Sequence, residues 1–263
     1  MTSADYDLPK IPLGAGALLA DSFRVYLKDF LRFTLIGFAV SVVITTLEVM
    51  VYQWALTSPS SAFDGGMIAP LLYGELMLIT LDFALTSVVS ALVVQLVYDT
   101  KMNRRSRVWT ALLTVLPVVP MVFILTLVTT LLAFVGLFAV VIGAFWIIAI
   151  FYVVSPVIVI ERQGFASLLR SIELTKDYRW PIAGCFFVLL VFSVGATLVA
   201  EFLFGNFRLA FGDTIWVIFN VVGYAGVTGI SYTLMGIATA LVYARLREIK
   251  DGVAVDQIAQ VFD

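Results

Sequence analysis

The chain contains six long stretches of apolar residues, each long enough to cross a lipid bilayer as an α-helix. A spanning helix needs about 20 mostly apolar residues, because the hydrocarbon core of a bilayer is about 30 Å thick. Backbone groups inside lipid must be satisfied within the protein, and a helix does this within one segment. The sequence therefore predicts an all-α, polytopic membrane helix bundle that forms a single transmembrane domain over residues 1–263. We place its six spans at approximately 33–54, 70–97, 109–133, 137–159, 180–204 and 215–243.

The composition agrees with a membrane protein and argues against several classes of function. Hydrophobic residues make up 62% of the chain and charged residues 13%, whereas a soluble domain has about 25% charged residues. Histidine is absent, so the usual general base and the commonest metal ligand are missing. Cys185 is the single cysteine. We therefore expect no cofactor, no metal site and no catalytic residue, and the net charge of -2 gives no reason to expect nucleic acid as a partner.

The basic residues indicate the orientation of the bundle. All but one of the 16 Lys and Arg residues fall before the first span, after the second, between the fourth and fifth, or after the sixth, and the exception is Arg208. Lys and Arg collect in cytoplasmic loops because they are translocated with difficulty. This distribution predicts that both termini are cytoplasmic.

Two spans follow stretches in which apolar residues recur with the period of a helix. The first stripe contains Leu19, Phe23, Tyr26, Leu27 and Phe30, and the second contains Phe165, Leu168, Leu169 and Ile172. One apolar face next to a membrane entry favours a helix lying in the plane of the membrane. We expect two such in-plane amphipathic helices.

These stretches also resemble each other, since Lys28-Asp29-Phe30 corresponds to Lys176-Asp177-Tyr178. The pattern predicts a parallel repeat of residues 14–100 and 162–245 with an inserted hairpin over 109–160. The alternative is that any helix entering the membrane from the cytoplasm begins with basic and aromatic residues.

Three further features concern the shape of the spans. Pro117 and Pro120 should kink the third span, because each lacks a backbone donor. The stretch from 108 to 160 has no charge, and its length fits two spans joined by a short turn around Phe134 to Leu137. The glycines of the sixth span, among them Gly226, Gly229 and Gly236, should let helices approach closely.

A segment between the fourth and fifth spans resembles a known family. Its residues are Pro156, Glu161, Arg170, Ser171, Glu173, Thr175, Lys176, Arg179 and Trp180. They are similar to a motif of the membrane domain of glycerophosphoryl diester phosphodiesterases, in which a Pro-containing span end with a Glu precedes an Arg-Ser-x-Glu-Leu-Thr-Lys run. The resemblance implies a protein of the bacterial inner membrane. In such proteins the phosphodiesterase chemistry belongs to a separate soluble barrel with histidines, so the resemblance does not imply an enzyme here.

Four acids and one amide within the predicted spans form a candidate intramembrane polar site. These residues are Glu48, Glu75, Asp82, Glu201 and Asn220. An acid near the centre of a bilayer costs about 2.5–3.5 kcal/mol and needs a reason to be there. Asp82, near the middle of the second span, is the strongest candidate for a cation, proton or headgroup site. The alternative is a protonated, purely structural Asp82 bonded to a neighbour such as Asn220.

A second candidate site is the basic run after the second span. Arg104, Arg105 and Arg107 could contact anionic lipid headgroups, or they could serve only to fix the topology.

Together these features favour a non-catalytic inner-membrane protein that binds membrane lipids or a membrane partner and serves envelope homeostasis. The partner could be another membrane protein or a second copy of the chain. The alternative is a small transporter or channel that uses the intramembrane acids. A polar path lined by those acids would favour the alternative.

Overall fold

The computed structural model describes residues 12–57, 68–102, 107–138, 141–205 and 213–252, and it describes the side chains of most of them. All regular structure in these segments is helical, which confirms the predicted all-α class. The α-helices are α1 (Ala15–Lys28), α2 (Phe30–Thr57), α3 (Ile68–Lys101), α4 (Val108–Val115), α5 (Val119–Phe138), α6 (Val141–Phe151), α7 (Val154–Pro156), α8 (Ala166–Thr175), α9 (Arg179–Gly205) and α10 (Asp213–Asp251). A 3-10 turn, Leu116–Val118, joins α4 to α5, and a π-helical turn, Val157–Glu161, follows α7.

Six helical stretches in the described residues are long and apolar enough to cross a membrane, as the sequence predicts. They are Phe30–Val51, Thr80–Thr100, Val108–Gly136, Gly143–Glu161, Arg179–Leu203 and Val221–Asp251. The chain is therefore a multi-pass membrane protein. Its orientation and the in-plane position of α1 and α8 remain predictions, as does the parallel repeat.

The sixth span is the centre of the bundle. Helix α10 packs against α2, α3 and α9, and also against α1. Leu234, Ile237 and Leu241 of α10 are almost completely buried. Apolar residues of α2, α3 and α5 surround them in one continuous core. A span rich in glycine suits this central position, because small residues let the neighbouring helices approach its backbone closely.

Two of the sixth-span glycines have the packing role that the sequence predicts. A Cβ placed on Gly229 would lie 2.6 Å from the carbonyl carbon of Gly37 in α2, so the two backbones are in direct contact there. A Cβ on Gly236 would lie 3.0 Å from a methyl carbon of Val93 in α3. A Cβ on Gly226 would meet nothing within 4 Å. Only part of the glycine pattern is therefore used for close approach.

The hairpin of the third and fourth spans differs from the prediction at its turn. Residues Phe134 to Leu137 are not a turn, because α5 continues to Phe138 and α6 begins at Val141. Gly136 instead marks a close approach of the two arms, since a Cβ there would lie 2.6 Å from Ile147. In the third span the helix tightens into the 3-10 turn at Pro117, whereas Pro120 lies in the first turn of α5, and the kink at these two residues stays a prediction.

Helix α8 confirms that the second amphipathic stretch is helical, but it buries a different face from its apolar stripe. Phe165 and Leu169 of the stripe are exposed. The buried face consists of Ser167, Ser171, Leu174 and Thr175. The helix therefore docks onto the protein through hydroxyl groups and leaves much of its stripe facing outward.

Candidate functional site

A cavity of about 330 Å³ lies among the spanning helices. Its apolar wall includes Ala133, Ile148, Phe151, Phe186 and Met235. Seven hydroxyl residues also line it: Ser90, Thr126, Thr129, Thr130, Tyr152, Ser155 and Thr239. None of the described residues that line it is charged. Thr130 is exposed and marks the rim, so the cavity is open toward the surface of the third span.

Most of the hydroxyl groups around the cavity already have hydrogen-bond partners. The hydroxyls of Ser90 in α3 and Ser155 in α7 are 2.9 Å apart and link the second span to the fourth. Thr129 donates to the Thr126 carbonyl at 3.0 Å, and Thr239 donates to the Met235 carbonyl at 2.9 Å. Hydroxyls that bond their own helix in this way present mainly their carbon atoms to the cavity. The cavity therefore offers an occupant a mostly apolar surface.

Tyr152 lies at a break in the fourth span. Helix α6 ends at Phe151, and Tyr152 and Val153 form a turn before α7. Pro156 accounts for the break, because its ring displaces the carbonyl four residues earlier and it has no N–H to donate. Tyr152 packs edge-on against Phe186 of α9, with ring centroids 6.2 Å apart.

Two residues of the family-like segment hold this break in place. The hydroxyl of Ser171 donates to the carbonyl of Ile150 at 2.8 Å, and the hydroxyl of Thr175 is shared between the Ser171 carbonyl at 2.8 Å and the Ile150 carbonyl at 3.1 Å. Both side chains are fully buried. Helix α8 is thereby fixed to the fourth span two residues before Tyr152.

Other residues of the same segment form an ion-pair cluster. The cluster lies where α3 and α10 end and α9 begins, and we call this part of the protein the basic end of the bundle. Arg170 of α8 contacts Glu161 at 3.2 Å and Asp251 of α10 at 2.5 Å. The hydroxyl of Tyr243 donates to Glu161 at 2.8 Å. Partial burial alone would lower the pKa of Arg170, but the hydrogen bond that Arg170 donates to Asp251 and the charges of Glu161 and Asp251 outweigh this effect, so the pKa is raised. Arg170 is therefore a permanent cation that ties three helical segments together.

Two further contacts extend the basic end. Arg247 donates to the hydroxyl of Tyr98 at 3.2 Å, which links α10 to the end of α3. Lys250 forms an ion pair with Asp177 at 3.3 Å.

The rest of the family-like segment serves the start of the fifth span or lies at the surface. The guanidinium of Arg179 lies 5.5 Å from the ring centroid of Trp146, and Trp180 packs against the same ring at 5.2 Å. Lys176 is exposed, and Glu173 is exposed at 4.0 Å from Arg170.

The predicted intramembrane acids are near one another but do not line the cavity. Tyr232 of α10 donates to Asp82 at 3.0 Å. The charged neighbours of Tyr224 are Glu48, Glu201 and Asp82, and Tyr224 precedes the cavity-lining residues of α10 by about three helical turns. Glu48 is half-buried and Glu201 is exposed.

Some predicted site residues lie outside the described parts of the chain. Glu75 and Asn220 are in α3 and α10, but their side chains are not among those described, so the proposed bond from Asp82 to Asn220 stays a prediction. Arg104 and Arg105 are outside the described residues, and Arg107 is exposed at the start of α4. Their headgroup role also remains a prediction. In the described residues no group of three or more acidic or cysteine side chains is arranged to hold a metal ion.

The sequence analysis did not single out Tyr152, Tyr232 or Tyr243. One signal was available for the cavity, since Thr126, Thr129 and Thr130 have the i, i+3, i+4 spacing of one helical face. No such signal pointed to the tyrosines, because each meets its partners from a distant part of the chain.

Comparison with known proteins identifies no relative: no family model, no curated protein and no solved structure matches this chain. The resemblance of the segment from Pro156 to Trp180 to a known membrane domain therefore stays an expectation.

Proposed function

We propose that this protein is a non-catalytic membrane protein that binds a lipid between its spanning helices. The observation that carries the proposal is the cavity itself, which lies within the membrane-spanning bundle, opens at Thr130 and has an apolar wall. The proposed setting is the bacterial inner membrane, with the basic end on the cytoplasmic side.

Packing energetics support an occupant. Wall atoms that face an unfilled space lose their van der Waals contacts, so an occupant that fits the cavity stabilises the bundle. A cavity of this volume also falls in the usual range for ligand sites, about 300–1,000 Å³. Hydrocarbon from the surrounding bilayer is the nearest material that matches the wall.

The chemistry of the wall favours lipid over an ion. An ion inside a spanning bundle needs a countercharge or several oxygen ligands. The lining residues that the structure describes carry no charge, and the hydroxyls of Ser90, Ser155, Thr129 and Thr239 already form hydrogen bonds. A cation would therefore lose its hydration without replacement.

One observation favours the alternative function, a small transporter. Asp82 is hydrogen-bonded to Tyr232, and Glu48 and Glu201 are charged neighbours of the same helix face. Such a cluster could pass a proton or hold a cation. The described acids are not among the residues that line the cavity, however, so the two features do not form one polar path.

The test closes the cavity at its rim. Thr130→Trp places a large side chain at the exposed rim, and Leu131→Trp is the matched control at the neighbouring position, where the leucine is 58% exposed. Each protein is purified in mild detergent, washed extensively and extracted, and the retained lipid is quantified by mass spectrometry per mole of protein. We expect wild type and Leu131→Trp to retain lipid and Thr130→Trp to retain several-fold less. Equal lipid content in all three proteins, or none in wild type, would contradict the proposal.

A further inference from the structure

Tyr152 has the one hydroxyl of the cavity that is known to be buried without a hydrogen bond. Its oxygen is inaccessible and has no partner of acceptable geometry among the described residues. Thr239 is close enough to interact with the Tyr152 hydroxyl, but the two groups do not meet both the distance and the angle of a hydrogen bond. The Thr239 hydroxyl donates its own proton to the Met235 carbonyl. A buried donor left unpaired costs about 1–3 kcal/mol. An occupant of the cavity could satisfy this donor once the Tyr152 ring turns far enough to bring its hydroxyl to the cavity surface.

The position of Tyr152 depends on the break in the fourth span. The turn at Tyr152 and Val153 interrupts the fourth span, and the hydroxyls of Ser171 and Thr175 hold the preceding Ile150 carbonyl from outside that span. These contacts fix the backbone two residues before Tyr152.

From this arrangement we propose that the cavity binds an acyl ester, with the ester carbonyl accepting a hydrogen bond from the Tyr152 hydroxyl and the hydrocarbon chain lying along the apolar wall. This inference rests on the proposed lipid-binding function and names the class of lipid. The carbonyl supplies the acceptor that Tyr152 lacks. The uncharged lining excludes a charged headgroup from the cavity, so that part of a lipid stays outside it.

The test compares two probes of similar chain length that differ in the ester. Methyl oleate carries one ester carbonyl, and 1-octadecene carries none. Binding of each to the purified full-length protein in detergent is measured by native mass spectrometry. Tyr152→Phe removes only the hydroxyl oxygen, and Tyr26→Phe is the matched control, because the Tyr26 hydroxyl pairs with Thr34 away from the cavity.

We expect wild type and Tyr26→Phe to bind methyl oleate about ten-fold more tightly than 1-octadecene, which is the usual worth of one buried hydrogen bond. Tyr152→Phe should bind both probes equally. An ester preference that persists in Tyr152→Phe would overturn the assignment of Tyr152 and leave lipid binding intact. Failure of wild type to bind either probe would overturn the proposed function itself.

A second measurement needs no variant and covers the case in which Tyr152→Phe does not fold. The infrared carbonyl band of ¹³C-labelled methyl oleate moves to lower frequency when the carbonyl accepts a hydrogen bond. We expect that shift for the probe bound to wild type, relative to the probe in detergent alone. A bound probe whose band stays at the detergent frequency would contradict the proposal.

Discussion

The contact between Gly37 and Gly229 gives the sharpest prediction about the bundle. In Gly229→Ala the new Cβ would lie 2.6 Å from the Gly37 carbonyl carbon, whereas carbon atoms pack best at about 3.5–4.0 Å. Helices α2 and α10 would therefore have to separate by about 1 Å. Overpacking of this kind costs about 1–3 kcal/mol. Alanine gains up to about 1 kcal/mol in helix propensity over glycine, so we expect a net loss of up to about 2 kcal/mol.

Gly226→Ala is the matched control on the same helix. A Cβ there would meet nothing within 4 Å, so only the gain in helix propensity remains. Both variants are unfolded in mixed micelles by titration with a denaturing detergent and followed by circular dichroism. We expect Gly229→Ala to unfold at a lower fraction of denaturant than wild type, and Gly226→Ala at the same fraction or a higher one. If Gly229→Ala is as stable as Gly226→Ala, the direct backbone contact between α2 and α10 does not exist.

Three other outcomes follow from the ion pairs, the buried acid and the charge distribution. Arg170→Gln should lower the free energy of unfolding by about 2–3 kcal/mol, because it leaves a carboxylate without its cation. Arg245→Gln is the control and should lower it by less than about 0.5 kcal/mol, because the partner of Arg245 is an exposed residue of its own helix. Equal losses in a melting experiment would show that the Arg170 cluster does not stabilise the bundle. Asp82→Asn should keep the hydrogen bond from Tyr232 and the stability of the protein, while Asp82→Leu should lower the melting temperature. Loss of cellular function in a stable Asp82→Asn protein would favour the transporter. A cysteine at Ser60 should react with an impermeant thiol reagent in intact cells and one at Ser106 should not, and the reverse labelling pattern would overturn the orientation.

The sequence predicts the number and class of the elements because membrane insertion depends on local composition. Six apolar stretches become six spanning helices whatever their partners are, since lipid leaves a backbone few other ways to satisfy its polar groups. The distortion at Pro117 is likewise local, because it depends on the chemistry of one residue type. The glycine pattern did not separate Gly229, which contacts α2, from Gly226, which has no neighbour within 4 Å of an added Cβ. The turn near Gly136 was misplaced because an uncharged stretch gives no signal of where one apolar helix ends and the next begins.

Tertiary structure alone decided the candidate site. Asp82 was identified from its position in a span, but its partner Tyr232 is 150 residues away. The family-like segment was found as a string of residues, yet only folding shows that Ser171 and Thr175 hold the carbonyl of Ile150. Each of these contacts depends on how the helices rotate about their axes and where one of them breaks. Hydropathy averages over those angles, so it establishes that helices cross the membrane, whereas packing decides which side chains meet and where a cavity remains between them.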